Sequence, residues 1–220
     1  MSAERALAIA VFACSVILLA RLGPAAIMSW RIYAGTGRRR QEDATGRAPL
    51  VPPAVADRAA LLAGSGYHRL GETRLDLPVG ERFAWILAAG DAESYAILVD
   101  APRIGGLTGT YSAWLDGTWL CTIHPRGQAV DRPGLQVRIV PSTLEEMVAV
   151  HRAGLERLKQ VHGAPRPVAG MADMLALDAD YRSRFGGTRL RPTLIRVVAP
   201  AVVVAAISVL SLALVVASAR

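Results

Sequence analysis

Aromatic residues make up only 5% of this 220-residue chain, cysteine occurs twice, and lysine occurs once, at Lys159. Two cysteines exclude a disulfide scaffold and a four-ligand zinc ribbon. No long low-complexity stretch interrupts a chain that is 52% hydrophobic, which excludes disorder and a collagen repeat. The signatures of several enzyme classes are missing too. No His-Glu-x-x-His occurs, and His68, His124, His151 and His162 lie far apart, so neither a metal nor any other cofactor is expected. Gly105-Gly106-Leu107-Thr108-Gly109 lacks the Gly-Lys-Ser/Thr ending of a phosphate loop, and Gly64-Ser65-Gly66 lacks the spacing of a nucleophile elbow. Asp173, Asp178 and Asp180 read as a solvated helix face. Despite a formal net charge of +7, no basic stripe interleaves with aromatics, so nucleic acid is not an expected partner.

What the chain does have is apolar residues concentrated at its two ends. No charge occurs from Val197 to Ala217, a stretch reaching about 31 Å as a helix, the thickness of a hydrocarbon core. A transmembrane helix is expected over 193–217. At the other end Ala6 to Ala20 is uninterrupted, Arg21 intervenes, and Leu22 to Trp30 resumes the apolar run. Arg21 near a headgroup would snorkel and Trp30 would sit in the aromatic belt, giving a second span over 6–28. A cleaved signal peptide is the competing reading of this segment, through the small residues Ala25 and Ala26. A lipoprotein site at Val11-Phe12-Ala13-Cys14 fits poorly, because Phe12 is bulky and the apolar run continues past Cys14.

Arginine placement gives an orientation. Arg31, Arg38, Arg39, Arg40 and Arg47 follow the first segment, and Arg182, Arg184, Arg189, Arg191 and Arg196 precede the second. Only Arg5 and Arg220 lie beyond the spans. By the positive-inside rule the central region is expected on the cytoplasmic side, with Arg31, Arg38, Arg39, Arg40, Arg189, Arg191 and Arg196 at the lipid interface.

Between the spans, 31–53 reads as a basic linker and 54–190 as an α+β domain. A helix is expected over Ala54–Ala63. Strands are expected at Tyr67–Leu77, Phe83–Ala89, Ser94–Asp100, Thr108–Leu115, Thr118–His124 and Leu135–Val140. These form an antiparallel meander of five or six strands packed with helices. Asp116-Gly117 suits a two-residue turn, which would set Trp114 opposite Trp119, Ser112 opposite Cys121 and Tyr111 opposite Thr122. Ser142 and Glu145 read as a capping box opening a helix that Gly163 closes, and a further helix over about Val168–Phe185 is expected to lead through Gly186-Gly187 into the membrane helix.

His151 falls on the apolar stripe of Leu144, Met147, Val148, Leu155 and Leu158. There it is either a core residue with hydrogen-bonded ring nitrogens or a general base toward Ser112 or Cys121. Trp114 and Trp119 are either a cross-strand core pair or a wall facing a ligand or headgroups. The string Ser112-x3-Asp116-Gly117-x2-Leu120-x-Thr122, followed by a capped helix carrying His151, Leu155 and Leu158, resembles a loosely defined group of uncharacterised bacterial membrane-anchored proteins. The resemblance implies bacterial origin, and with it a place in the inner membrane, and a membrane-tethered α+β domain; it brings no activity and no site residues. The expected function is thus an integral membrane protein whose cytoplasmic domain binds a partner protein, a lipid or a small ligand. The alternatives are a membrane-associated hydrolase or transferase using His151 with Ser112 or Cys121, and a structural subunit of a membrane complex.

Overall fold

A computed structural model describes residues 3–35, 41–77, 80–100 and 106–217. The chain divides into two compact units, Met1–Arg39 with Tyr181–Arg220, and Arg40–Asp180.

In the first unit, helix α1 (Ala3–Gly35) and the C-terminal part of helix α4 (Met171–Ala217) carry the apolar ends. Ala6–Trp30 and Val198–Ala217 are long and apolar enough to cross a membrane, by length and composition. On α1 the buried Ser15 and Ala26 and the half-buried Phe12, Leu19, Leu22 and Ser29 form a row spaced alternately three and four residues apart. Ala201, Val204, Ser208, Ser211 and Val215 repeat that spacing on α4. This 3.5-residue repeat is what keeps two helices facing each other along a seam. Within the seam the Ser208 hydroxyl donates to Ser15 Oγ at 2.7 Å. Ser15 in turn donates to the Phe12 carbonyl at 2.8 Å, so neither hydroxyl is left unbonded among apolar side chains. The expected helix and the membrane helix are joined through Gly186-Gly187 as the one helix α4; two glycines weaken a helix by about 1 kcal/mol each but do not end it without a cap.

The second unit is α+β. Among the described residues its sheet has eight strands: β1 (Gln41–Asp43), β2 (Tyr67–Leu77), β3 (Gly80–Ala89), β4 (Tyr95–Val99), β5 (Leu107–Ala113), β6 (Trp119–His124), β7 (Val130–Arg132) and β8 (Leu135–Ile139). β1 to β6 follow one another antiparallel, as expected of a meander. The order then departs from one, because β8 lies parallel to β6 and β7 occupies the outer edge. The two strands beyond the expected six are three-residue edge pieces. Gln41-Glu42-Asp43 carries no apolar alternation that would mark it as a strand in the sequence.

Helices α2 (Pro53–Gly64) and α3 (Leu144–His162) cover one face, where Val55 and Leu62 join Tyr67, Trp85, Leu87, Leu98, Met147 and Val148 in the core. Ile86, Tyr95, Trp119, Cys121 and Leu135, on the opposite face by strand alternation, are also buried. The cap of α3 lies one residue later than the sequence suggested. Thr143 Oγ1 accepts from Glu146 N at 3.1 Å, while the Ser142 hydroxyl bonds the Glu146 carboxylate.

The β5–β6 hairpin also corrects an expected register. Trp114 N donates to the Thr118 carbonyl at 2.9 Å and Gly117 N to the Trp114 carbonyl at 3.1 Å, closing a three-residue loop, Leu115-Asp116-Gly117. Gly117 has φ of 88°, and the Asp116 carboxylate accepts from Thr118 N at 2.9 Å. One left-handed residue after a type I turn adds a residue that a two-residue turn lacks. Every pair therefore slips by one: Ser112 opposes Leu120, Tyr111 opposes Cys121, Thr110 opposes Thr122 and Ala113 opposes Trp119. Because side chains alternate, the slip moves Thr122 to the face that carries Ser112 and sends Cys121 to the other face.

Candidate functional site

α3 approaches β6 closely because residue 154 has no side chain. A Cβ on Gly154 would lie 3.0 Å from Leu120 Cδ2 and 3.2 Å from a guanidinium nitrogen of Arg138. One turn earlier on the same helix, the His151 ring enters the space between β5 and β6.

There His151 is fully buried, with 0% of its surface exposed. Its Nε2 lies 3.1 Å from Ser112 Oγ and its Nδ1 3.0 Å from Thr122 Oγ1. Ser112 Oγ also donates to the Glu93 carbonyl, in the β3–β4 turn, at 2.8 Å. A hydroxyl has one proton to give, so with that proton on Glu93 the Ser112 oxygen accepts from Nε2–H. The neutral ring then has its lone pair on Nδ1, which accepts from the Thr122 hydroxyl. The bonds run in one direction, from Thr122 through His151 and Ser112 to the Glu93 carbonyl.

Burial first, and then the nearby positive charge of Arg138, push the His151 pKa down to about 3. The ring is neutral at physiological pH. In this state it donates to Ser112 and does not take a proton from it, which is opposite to the polarity a serine nucleophile requires.

The structure brings His151 and Ser112 together and leaves Cys121 out. Cys121 is buried on the opposite face, paired across the ladder with Tyr111. The two tryptophans are also separated. Trp114 packs with Leu120, Leu155 and Leu158 under α3, donates from Nε1 to the Gly163 carbonyl at 2.8 Å, and lies 6.0 Å from the His162 ring. Trp119, one residue from Leu120, faces the other way and is buried beside Leu135. They do not form the shared wall that the expected register implied.

Arg138 and the Glu93 carbonyl are the parts of this arrangement that the sequence did not reveal. Arg138 reaches α3 only because β8 lies parallel beside β6, pairing Arg138 with Thr122, and no local pattern signals that crossover. Around the buried group, polar contacts tie α3 to the hairpins. Lys159 Nζ donates to Glu93 at 2.6 Å, and His162 Nδ1 meets Asp116 at 2.6 Å.

Among the described residues, no group of three His, Cys, Asp or Glu side chains could hold a metal ion. Of the arginines assigned to the lipid interface, Arg38, Arg39 and Arg40 lie outside the described residues. Arg31, Arg189, Arg191 and Arg196 lie on α1 and α4, with their side chains likewise outside the description. No family model, curated protein or solved structure matches the chain.

Proposed function

We propose that this is an integral protein of a bacterial cytoplasmic membrane, anchored by α1 and α4. Its Arg40–Asp180 unit lies in the cytoplasm and acts as a non-catalytic module binding a partner protein, lipid or small ligand. The anchoring rests on two helices of spanning length, and the orientation on ten arginines placed next to the spans on their inner sides against Arg5 and Arg220 beyond them.

The observation that carries the non-catalytic reading is the direction of the buried hydrogen bonds. Thr122, His151 and Ser112 are all buried, and each spends its proton on the next member of the chain, ending at a backbone carbonyl. A satisfied buried network of this kind fixes the position of a helix on a sheet.

The test is labelling of the native full chain with a fluorophosphonate, which phosphonylates activated serines with loss of fluoride, alongside affinity capture of the detergent-solubilised protein. The expected result is no labelling at Ser112, together with a partner that is enriched over a chain lacking 40–180. Labelling that disappears in both Ser112→Ala and His151→Gln would establish the hydrolase reading instead.

A further inference from the structure

Arg138 on β8 is half-buried, with a guanidinium nitrogen 3.2 Å from where a Cβ on Gly154 of α3 would lie. Among the described residues that guanidinium makes no hydrogen bond and no ion pair. A second guanidinium is brought beside it. Arg157, three residues after Gly154 and so on the same side of α3, donates from Nη2 to Gln136 Oε1 at 2.8 Å. Gln136 and Arg138 are two residues apart on β8 and share the face that α3 covers. An exposed arginine on a helix can swing into solvent, whereas this one is tied toward Arg138.

Burial first, and then the charge of Arg157, lower the Arg138 pKa from its ordinary value, while Asp131 on β7 opposes the shift. Asp131, paired with Gln136 across the ladder, is exposed and makes no ion pair with either arginine among the described residues. Two like charges held side by side and partly out of water repel each other, and an anion between them reverses that cost. The groups on offer are donors: the Arg138 fork, the remaining N–H groups of Arg157, and the Gln136 amide nitrogen, whose carbonyl oxygen is already taken. Two planar forks mounted on different elements match the several oxygens and double charge of a phosphate monoester better than the two oxygens and single charge of a carboxylate.

We propose that Arg138 and Arg157, with Gln136, form a binding site for a phosphate monoester. The site gives the binding module proposed above its ligand class and rests on that reading.

The test is a phosphorus NMR titration of glycerol phosphate with the full chain in an uncharged detergent. Saturable line broadening is expected, with the affinity lowered at least about tenfold in Arg138→Gln and in Arg157→Gln, the size of a lost charge-assisted hydrogen bond. Arg157 is exposed, so its variant carries the test if Arg138→Gln fails to fold. Arg152→Gln removes the same charge from the same helix and leaves the affinity unchanged, and acetate at equal concentration does not compete. In a second arm, nanodiscs containing phosphatidic acid replace the soluble ester.

Binding of glycerol phosphate assigns a soluble ligand, and binding of phosphatidic acid alone, lost in both arginine variants, assigns a lipid headgroup. No binding in either arm, an unchanged affinity in both arginine variants, or equal competition by acetate would each overturn the proposal. Failure of both arms in a chain that still captures a partner through 40–180 refutes the phosphate site alone, whereas fluorophosphonate labelling of Ser112 refutes the non-catalytic reading beneath it.

Discussion

Replacing His151 with alanine lowers the unfolding midpoint of the Arg40–Asp180 unit by roughly 6–20 °C. The change empties a ring-sized space under α3 and leaves the Thr122 hydroxyl without its acceptor. Cavity formation and an orphaned buried hydroxyl together cost about 3–5 kcal/mol, and each kcal/mol moves the midpoint of a unit this size by about 2–4 °C. Cys121 provides the readout, because its buried thiol becomes reactive toward a fluorogenic maleimide only when the sheet opens. The measurement is made on the full chain carrying Cys14→Ala, so that the second thiol is silent. A shift below about 2 °C would mean that the buried chain of hydrogen bonds does not hold α3 to the sheet.

The same ring gives a pH dependence of defined sign. Unfolded, the imidazole takes up a proton as pH falls through 6.5; folded, it does so only near 3, because burial and Arg138 oppose the charge. Between these values the unfolded state binds the extra proton. Stability therefore falls as pH drops from about 6.5 toward 3, by up to about 1.4 kcal/mol per pH unit, and this group contributes its full stabilisation above that window. His151→Gln removes this slope, and subtracting its acid-unfolding curve from that of wild type cancels the carboxylates common to both. Parallel curves would show that the folded and unfolded rings titrate alike.

Cysteines introduced at positions 15 and 208 are expected to form an intramolecular disulfide in most chains under mild oxidation. The hydroxyls they replace are 2.7 Å apart in a buried seam. In a Cys14→Ala background, cleavage within the arginine-rich segment after α1 releases no N-terminal fragment until a reductant is added. A control pair, Ser15 with the exposed Val202, lies off the seam and stays unlinked. The result also decides between an anchor and a cleaved signal, since a processed chain would have no residue 15 to cross-link.

The sequence made some of this readable and hid the rest for physical reasons. The absence of charge from Val197 to Ala217 marks a segment of spanning length, and the helical spacing of Met147, Val148, Leu155 and Leu158 places His151 on a buried face. β2 through β6 appear as β-branched and aromatic runs between turn residues. The register of the β5–β6 hairpin does not appear, because Asp-Gly suits a two-residue turn and the end of a three-residue loop equally well. The structure takes the three-residue loop, with Trp114 N bonded to the Thr118 carbonyl and Gly117 left-handed. That ambiguity decided whether Cys121 or Thr122 would meet His151. β1 and β7, three residues each, bury too little to leave a pattern. The β6–β8 crossover is a long-range pairing with no local signature, and with it goes the position of Arg138.

The central claim is a membrane-held module that faces the cytoplasm. Cys121 is too deeply buried to report on it in the folded state, whereas Leu115, at the tip of the β5–β6 hairpin, is 89% exposed. The most direct measurement is labelling of Leu115→Cys, in a chain lacking Cys14 and Cys121, with a membrane-impermeant maleimide in intact and in permeabilised cells. The expected result is labelling only after permeabilisation, with the chain remaining in the carbonate-resistant membrane fraction. Labelling of intact cells would place the module on the outside and contradict the account.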